Sequence, residues 1–231
     1  LNGQSVTIKH TTADAQTAAN DGVKYTITNA TDTADDAVSV KLDAIDTAAN
    51  NKGVDTLDVS NYETVNLASA KSTSVTANTV DVLTAASGKS VVVTGDADLT
   101  IDSITGGAMT SFDASALDGK LTATFATGAD KVTATAATKD TTFNFGTGLN
   151  NDDTVVGGAG TKDKVTATVT GATATTGALN ISNVETVELN TTGANTLNLT
   201  GVTGASTVAV TNNKQTITGL DLNTAIQLGT T

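Results

Sequence analysis

The chain has 231 residues with no Cys, no Pro and no Trp, and a formal charge of −12. Zero Cys excludes disulfides, thiolate metal sites and thiol catalysis, and the acidic balance excludes the basic stripe that nucleic-acid binding requires. No apolar run approaches the ~20 residues of a membrane span, so insertion by a helix is not expected. The chain opens at Leu1 rather than Met, which points to a processed product or a segment of something longer.

Period-2 alternation predicts short strands at Lys24–Thr28, Ala37–Leu42, Thr64–Leu67, Ser90–Thr94, Lys120–Phe125, Lys131–Ala136, Lys164–Val169, Thr196–Thr200 and Thr207–Thr211. Neighbouring runs such as Lys120–Phe125 and Lys131–Ala136, or Thr196–Thr200 and Thr207–Thr211, have centres 11 residues apart, and Gly, Asn, Asp, Ser and Ala separate the runs, the pattern of an all-β chain. Helix is expected only near Thr12–Asn20 and Asp43–Asn51, where Ala is frequent and β-branched residues thin out. The 49 Thr residues lean the same way, since a β-branched side chain fits a half-buried pleated surface. Aromatics make up only 3%. The core is therefore built from Val, Leu, Ile, Ala and Thr methyls, with Tyr25, Tyr62, Phe112, Phe125, Phe143 and Phe145 as plugs.

Two internal echoes shape the fold expectation. Leu57–Leu67 reads LDVSNYETVNL and Leu179–Leu189 reads LNISNVETVEL, while KVTAT occurs at Lys131–Thr135 and again at Lys164–Thr168. Repeats of short strands without an aromatic core suggest a quasi-linear stack in which each rung buries its methyls against its neighbours. The first expectation is a parallel β-solenoid, and a pair of β-sandwiches is the alternative that strand spacing leaves open. Residues 1–53 read as an N-terminal β segment or cap and 54–231 as the repeat region. Leu57, Val59, Val65 and Leu67 should point inward, as should Leu179, Ile181, Val187 and Leu189.

The acids are 21 Asp against 3 Glu. That bias suggests turns and oxygen ligands, because Asp closes Asx-turns and fits compact calcium loops. The stretch Phe143–Val165, FNFGTGLNNDDTVVGGAGTKDKV, carries the strongest signal. Gly157, Gly158, Gly160 and Asp163 approximate the calcium nonapeptide GGxGxDxUx with the Asp one position late, and Asp152 and Asp153 resemble the end of a preceding turn. Asp130, Asp96 and Asp98 sit in worn copies of the pattern. Glycines would let the chain reverse and turn carbonyls to one point, while Asp supplies carboxylate oxygens for a Ca2+ ion.

The strings Val93–Ile101 (VTGDADLTI) and Ser111–Thr124 (SFDASALDGKLTAT), the Phe143–Thr166 stretch and the paired SNxETVxL motifs resemble the repeat regions of S-layer and related calcium-dependent, RTX-like surface proteins of Gram-negative bacteria. The resemblance covers most of the chain and is weakest before about residue 37. It implies export to the bacterial cell surface, a calcium-stabilised lattice of copies of the chain itself, cell-surface polysaccharide as a further partner, and no catalysis. A calcium-stiffened adhesin repeat or an extracellular filament subunit is the alternative. Enzyme readings find little to stand on. His10 is the lone His, there is no Arg to neutralise a uronate, and Glu63 and Glu185 occupy equivalent repeat positions, which points to a structural role at the turn before TVxL.

Overall fold

In the computed structural model the alternation becomes two long parallel sheets wound by one chain. The structure describes residues 3–9, 23–28, 31, 33–43, 53–73, 76–107, 109–126, 131–170, 177–193, 195–211, 215–220 and 224–229. In chain order the strands begin with β1 (Gln4–Lys9), β2 (Val23–Thr26), β3 (Ala37–Asp43), β4 (Val54–Asp58), β5 (Thr64–Ala70), β6 (Ala77–Thr84) and β7 (Ser90–Gly95). They continue with β8 (Asp98–Thr105), β9 (Ser111–Leu117), β10 (Leu121–Phe125), β11 (Thr133–Thr135), β12 (Thr141–Asn144), β13 (Thr154–Val156) and β14 (Lys164–Thr170). The last are β15 (Asn180–Ser182), β16 (Thr186–Thr192), β17 (Asn195–Asn198), β18 (Val202–Thr203), β19 (Thr207–Thr211), β20 (Gln215–Thr218) and β21 (Ala225–Gly229).

Successive strands alternate between sheets. A nine-strand sheet runs β1-β3-β5-β7-β9-β11-β13-β15-β18, and a ten-strand sheet runs β2-β4-β6-β8-β10-β12-β14-β16-β19-β21. Near the C-terminal end β17 and β20 form a third, two-stranded face. Sheet neighbours pair in parallel, as β3 does with β5 and β14 with β16. The strand between each such pair lies in the other sheet, which makes the fold a parallel β-solenoid and removes the sandwich alternative. Among the described residues there is no helix, and none long and apolar enough to cross a membrane. Of the two expected helices, residues 12–20 and 44–51 lie outside the described residues, while Asp43 ends β3. The boundary expected at residue 53 falls within continuous sheets, since β2 pairs with β4 and β3 with β5.

Side-chain alternation decides what each strand buries. In β5 and β14 every second residue is buried, and parallel pairing places such residues in columns along the stack, with register shifts at the β2–β4, β7–β9 and β8–β10 pairs. One column passes through Val23, Val54, Val80, Ile101, Ala123, Phe143, Val165, Val187, Val208 and Ile226, one residue per rung of the ten-strand sheet. All eight residues predicted to point inward from the SNxETVxL duplicates are buried. The two copies nevertheless use opposite sheets. Leu57–Leu67 crosses from β4 to β5, from the ten-strand sheet to the nine-strand one, whereas Leu179–Leu189 crosses from β15 to β16 in the other direction.

The four Phe plugs gather in mid-stack, while Tyr25 lies on β2 and Tyr62 is buried between β4 and β5. Phe112 of the nine-strand sheet meets Phe125 and Phe143 of the ten-strand sheet edge-on, at centroid distances of 5.4 and 6.0 Å, and Phe125 stacks on Phe145 at 4.7 Å. These rings fill the space between sheets that Val and Ala fill elsewhere. Phe143→Ala should therefore cost about 3–5 kcal/mol, the range for emptying a buried aromatic site. Urea denaturation measures it, and a loss below about 1 kcal/mol would show that the cluster does not brace the two sheets.

Candidate metal site

The stretch Phe143–Val165 runs from β12 in the ten-strand sheet, through β13 in the nine-strand sheet, to β14 back in the first. Asp153 directly precedes β13 and Asp163 directly precedes β14. They therefore occupy opposite corners of the solenoid, separated by a whole strand, and the convergence expected of their carboxylates does not occur. Each is 1% exposed, and each has both oxygens engaged by the backbone.

Asp163 accepts the Thr141 N–H at Oδ1 (2.7 Å) and the Gly158 N–H at Oδ2 (2.8 Å). Asp153 accepts the Val132 N–H at Oδ1 (2.7 Å) and the Asn150 N–H at Oδ2 (2.8 Å). In both cases one bond closes the local corner and the other reaches the neighbouring rung, 22 or 21 residues away. These N–H groups lie where the chain bends out of strand pairing, so they lack a carbonyl partner and a side chain must satisfy them.

Two of the other predicted residues bond across rungs at the corner between β7 and β8. Asp96 accepts the Lys71 N–H (2.9 Å) and Asp98 the Lys120 N–H (2.8 Å), one to a preceding rung and one to a following rung. Asp152 is exposed, and its N–H donates to Asn150 Oδ1 at 2.8 Å. Asp130 lies outside the described residues. Gly157 and Gly158 are needed for close approach between rungs. A side chain at Gly157 would overlap the Asn183 carbonyl, and one at Gly158 the Ala137 carbonyl. Their own carbonyls accept from Asn183 Nδ2, at 3.2 and 2.5 Å. A Cβ at Gly160 would press on Asp163 Oδ1 and the Asp140 N–H, each 2.8 Å away.

Calcium requires six to eight oxygen donors aimed at one point. Here the carboxylates and glycine carbonyls are turned towards N–H donors, and among the described residues no group of three or more His, Asp or Glu side chains is placed to hold a metal. The donor set of this turn does not fit a calcium cage.

The remaining corner acids complete the pattern. Glu185 Oε2 accepts the Asp163 N–H (2.8 Å), and Glu63 Oε2 accepts the Asp36 N–H (2.9 Å). The two repeat glutamates thus perform one task in two copies, as their equivalent positions suggested. The corner backbones differ in one respect: Asn183 adopts a left-handed φ of 55°. Asp36 and Asp140, which the sequence reading passed over, follow the same rule. Asp36 accepts from the Thr33 N–H and hydroxyl, and Asp140 Oδ1 accepts the Thr161 N–H. The available signal was an acid immediately before the first residue of a strand.

No family model, curated protein or solved structure matches the chain.

Burial raises the carboxyls of both Asp153 and Asp163, against the opposing pull of their N–H bonds, and nearby Asp152 or Glu185 and Asp140 add to the rise. A carboxyl whose folded value lies above its unfolded one adds stability below the unfolded value of about 3.8, and loses it as pH climbs through the folded value. Wild-type stability should carry this downward component as pH rises from about 3.8. The double variant Asp153→Asn/Asp163→Asn should lack it, and parallel pH–stability curves for the two proteins would contradict the assignment.

Asp163→Asn alone leaves one N–H facing an amide NH2. It should cost about 1–3 kcal/mol, the penalty of an unsatisfied buried donor. Asp152→Asn, at an exposed side chain, should stay within about 0.5 kcal/mol. Both measurements belong in chelator and repeated in calcium, because a capping carboxylate gives the same loss in each. A loss that appears only in calcium would restore the metal reading of this turn.

Proposed function

We propose that this chain is a non-catalytic structural repeat of a bacterial cell-surface assembly, of the S-layer type, in which the solenoid serves as a rigid body. The observation that carries this reading is the use made of the acids. The carboxylates that drew attention as candidate ligands or catalysts accept backbone N–H groups from adjacent rungs, as Asp153, Asp163, Glu63 and Glu185 do. Their chemistry is spent on holding the stack together.

The outer faces support the same reading. Thr79, Thr100, Thr122 and Thr142 stand in one register column of the ten-strand sheet. Thr64, Ser90, Ser111, Thr133 and Thr154 do so on the other sheet. Columns of short hydroxyl side chains keep a face flat and regular, which suits side-by-side packing of copies. The rungs also favour a surface-repeat relative over a true nonapeptide calcium roll. Rung-to-rung partners stand 21 or 22 residues apart at some rungs and 26 or 27 apart at others, as between β3 and β5 or β13 and β15, whereas two nonapeptides give a turn of about 18.

Calcium enters this proposal between copies. Each copy carries a formal charge of −12. On the ten-strand face Asp55, Asp81 and Asp102 lie on successive rungs, between the paired Val54, Val80 and Ile101 and the paired Thr56, Val82 and Ser103, which concentrates negative charge. Monovalent salt only screens such repulsion, whereas a divalent cation bridges carboxylates of neighbouring copies. Electron microscopy and sedimentation of the chain in calcium should show ordered assemblies that chelator dissolves and moderate sodium chloride leaves intact. Assemblies dispersed by salt and indifferent to chelator would remove calcium from the proposal. A chain that stays dispersed in every condition would favour a spacer within an adhesin.

A further inference from the structure

Asp118 and Gly119 stand at the corner between β9 and β10. Among the described residues Asp118 is the only acid followed directly by glycine. Packing requires that glycine, since a Cβ at position 119 would lie 2.3 Å from the Ala97 carbonyl oxygen and 2.8 Å from the Asp98 nitrogen. The acid differs from its neighbours along the stack. Asp98 accepts the Lys120 N–H, as Asp153 and Asp163 accept theirs, whereas the Asp118 side chain is 67% exposed. Its Oδ1 lies 3.1 Å from Lys139 Nζ and accepts from the Thr138 hydroxyl at 3.2 Å, both on the following rung. The backbone here has one donor without an acceptor. The Asp118 N–H donates to the Gly95 carbonyl and the Lys120 N–H to Asp98 Oδ1, but among the described residues nothing accepts the Gly119 N–H.

A backbone nitrogen that follows Asp can attack the side-chain Cγ and close a five-membered ring. A side chain on the following residue crowds that attack, and glycine removes the obstacle. We propose that Asp118–Gly119 is a site of spontaneous isoaspartate formation, and that the contact with Lys139 retards it. The Gly119 nitrogen bonds to Asp118 Cγ, the carboxyl OH and the N–H proton leave as water, and a succinimide closes. Water then adds at the main-chain carbonyl carbon of Asp118. That C–N bond breaks, the nitrogen regains a proton, and the main chain now runs through Cβ and Cγ. The neutral carboxyl is the reactive form, because a carboxylate has no good leaving group. The hydrogen bond and charge of Lys139, helped by Thr138 and Lys71, hold the Asp118 carboxyl below its usual range and so keep it in the unreactive form. Packing against Ala97 thus creates the labile pair, and the next rung protects it. An extra main-chain atom at this corner would pull apart the bonds to Gly95 and Asp98 that hold the rung.

The test incubates the full chain in warm, mildly acidic buffer and follows isoaspartate at position 118 by chromatographic peptide mapping. Lys139→Gln should accumulate it roughly two- to fivefold faster than wild type, the factor that an exposed ion pair contributes. Lys139→Arg keeps the charge and should return to the wild-type rate. The Lys139 side chain is 58% exposed, so all three proteins should fold alike, which circular dichroism melts check. The same chain unfolded in urea gives the rate of the unprotected pair. Lys139→Gln reacting at the wild-type rate, or Lys139→Arg reacting as fast as Lys139→Gln, would overturn the protective role. Folded wild type and Lys139→Gln that both stay unmodified at position 118, over a time in which the unfolded chain reacts, would overturn the site itself.

Discussion

The whole stack depends on satisfying backbone N–H groups at its corners. Within strands the parallel ladders do this without help. At some corners a carbonyl of the neighbouring rung accepts these groups, as the Glu63 carbonyl does for Lys89 and Ser90, while at others a donor is left with no carbonyl opposite. An unsatisfied buried donor costs about 1–3 kcal/mol, and a solenoid meets the same corner on every rung. The solution here is a carboxylate just before the strand. Asp153 and Glu63 do this where the chain enters the nine-strand sheet, and Asp163 and Glu185 where it enters the ten-strand sheet. Burial is the main reason the Asp163 carboxyl is raised, and stacking acids on adjacent rungs adds the like charges of Glu185 and Asp140. The fold tolerates that repulsion because each charge rests on N–H dipoles. The ion pairs lie elsewhere, as Lys139–Asp118 and Lys164–Glu188 do on the surface.

The corners set the register, and the register makes a thin core sufficient. Once each rung is held to the next, a Val at one position meets a Val, Ile or Phe at the same position above and below it. Each buried side chain is then covered on two sides by its own column and on a third by the opposite sheet. Small β-branched residues suffice for this, since burial of a Val or Leu contributes about 1.5–3 kcal/mol wherever it is complete. The exception is mid-stack, where Phe112, Phe125, Phe143 and Phe145 bridge the sheets.

The strands were legible because alternation is a local property. The run at Thr207–Thr211 coincides with β19, and those at Ala37–Leu42 and Ser90–Thr94 with β3 and β7 to within a residue. Strands of two or three residues, such as β18 and β15, are too short to show a period. The turn Gly157–Asp163, read as a calcium loop, depends on a different quantity. Gly-rich turns followed by Asp serve a cation loop and a rung corner equally well, because both require a tight reversal and a short carboxylate. What separates them is the direction of the dipoles at the carboxylate. Carbonyl oxygens converge on a cation, whereas Asp163 receives the N–H groups of Thr141 and Gly158. Thr141 lies 22 residues back in sequence, beyond what a local pattern records.

The swapped placement of the repeats follows from this corner chemistry. SNYE turns the chain from the ten-strand sheet into the nine-strand sheet, and SNVE turns it the other way. The KVTAT echo behaves alike, with one copy on β11 of the nine-strand sheet and the other on β14 of the ten-strand sheet. A motif that depended on one side of the molecule would not be interchangeable in this way. These are, because the structural unit is a half-turn: a strand, a corner and the next strand, with an acid at the junction that reaches one rung back. Glu63 and Glu185 find the same donor in that position, the N–H of the acid that precedes the strand below, Asp36 in one case and Asp163 in the other. A half-turn that makes its essential bonds to the rung beneath it needs no knowledge of which sheet it is entering. A stack built from such units can be lengthened in steps of one strand.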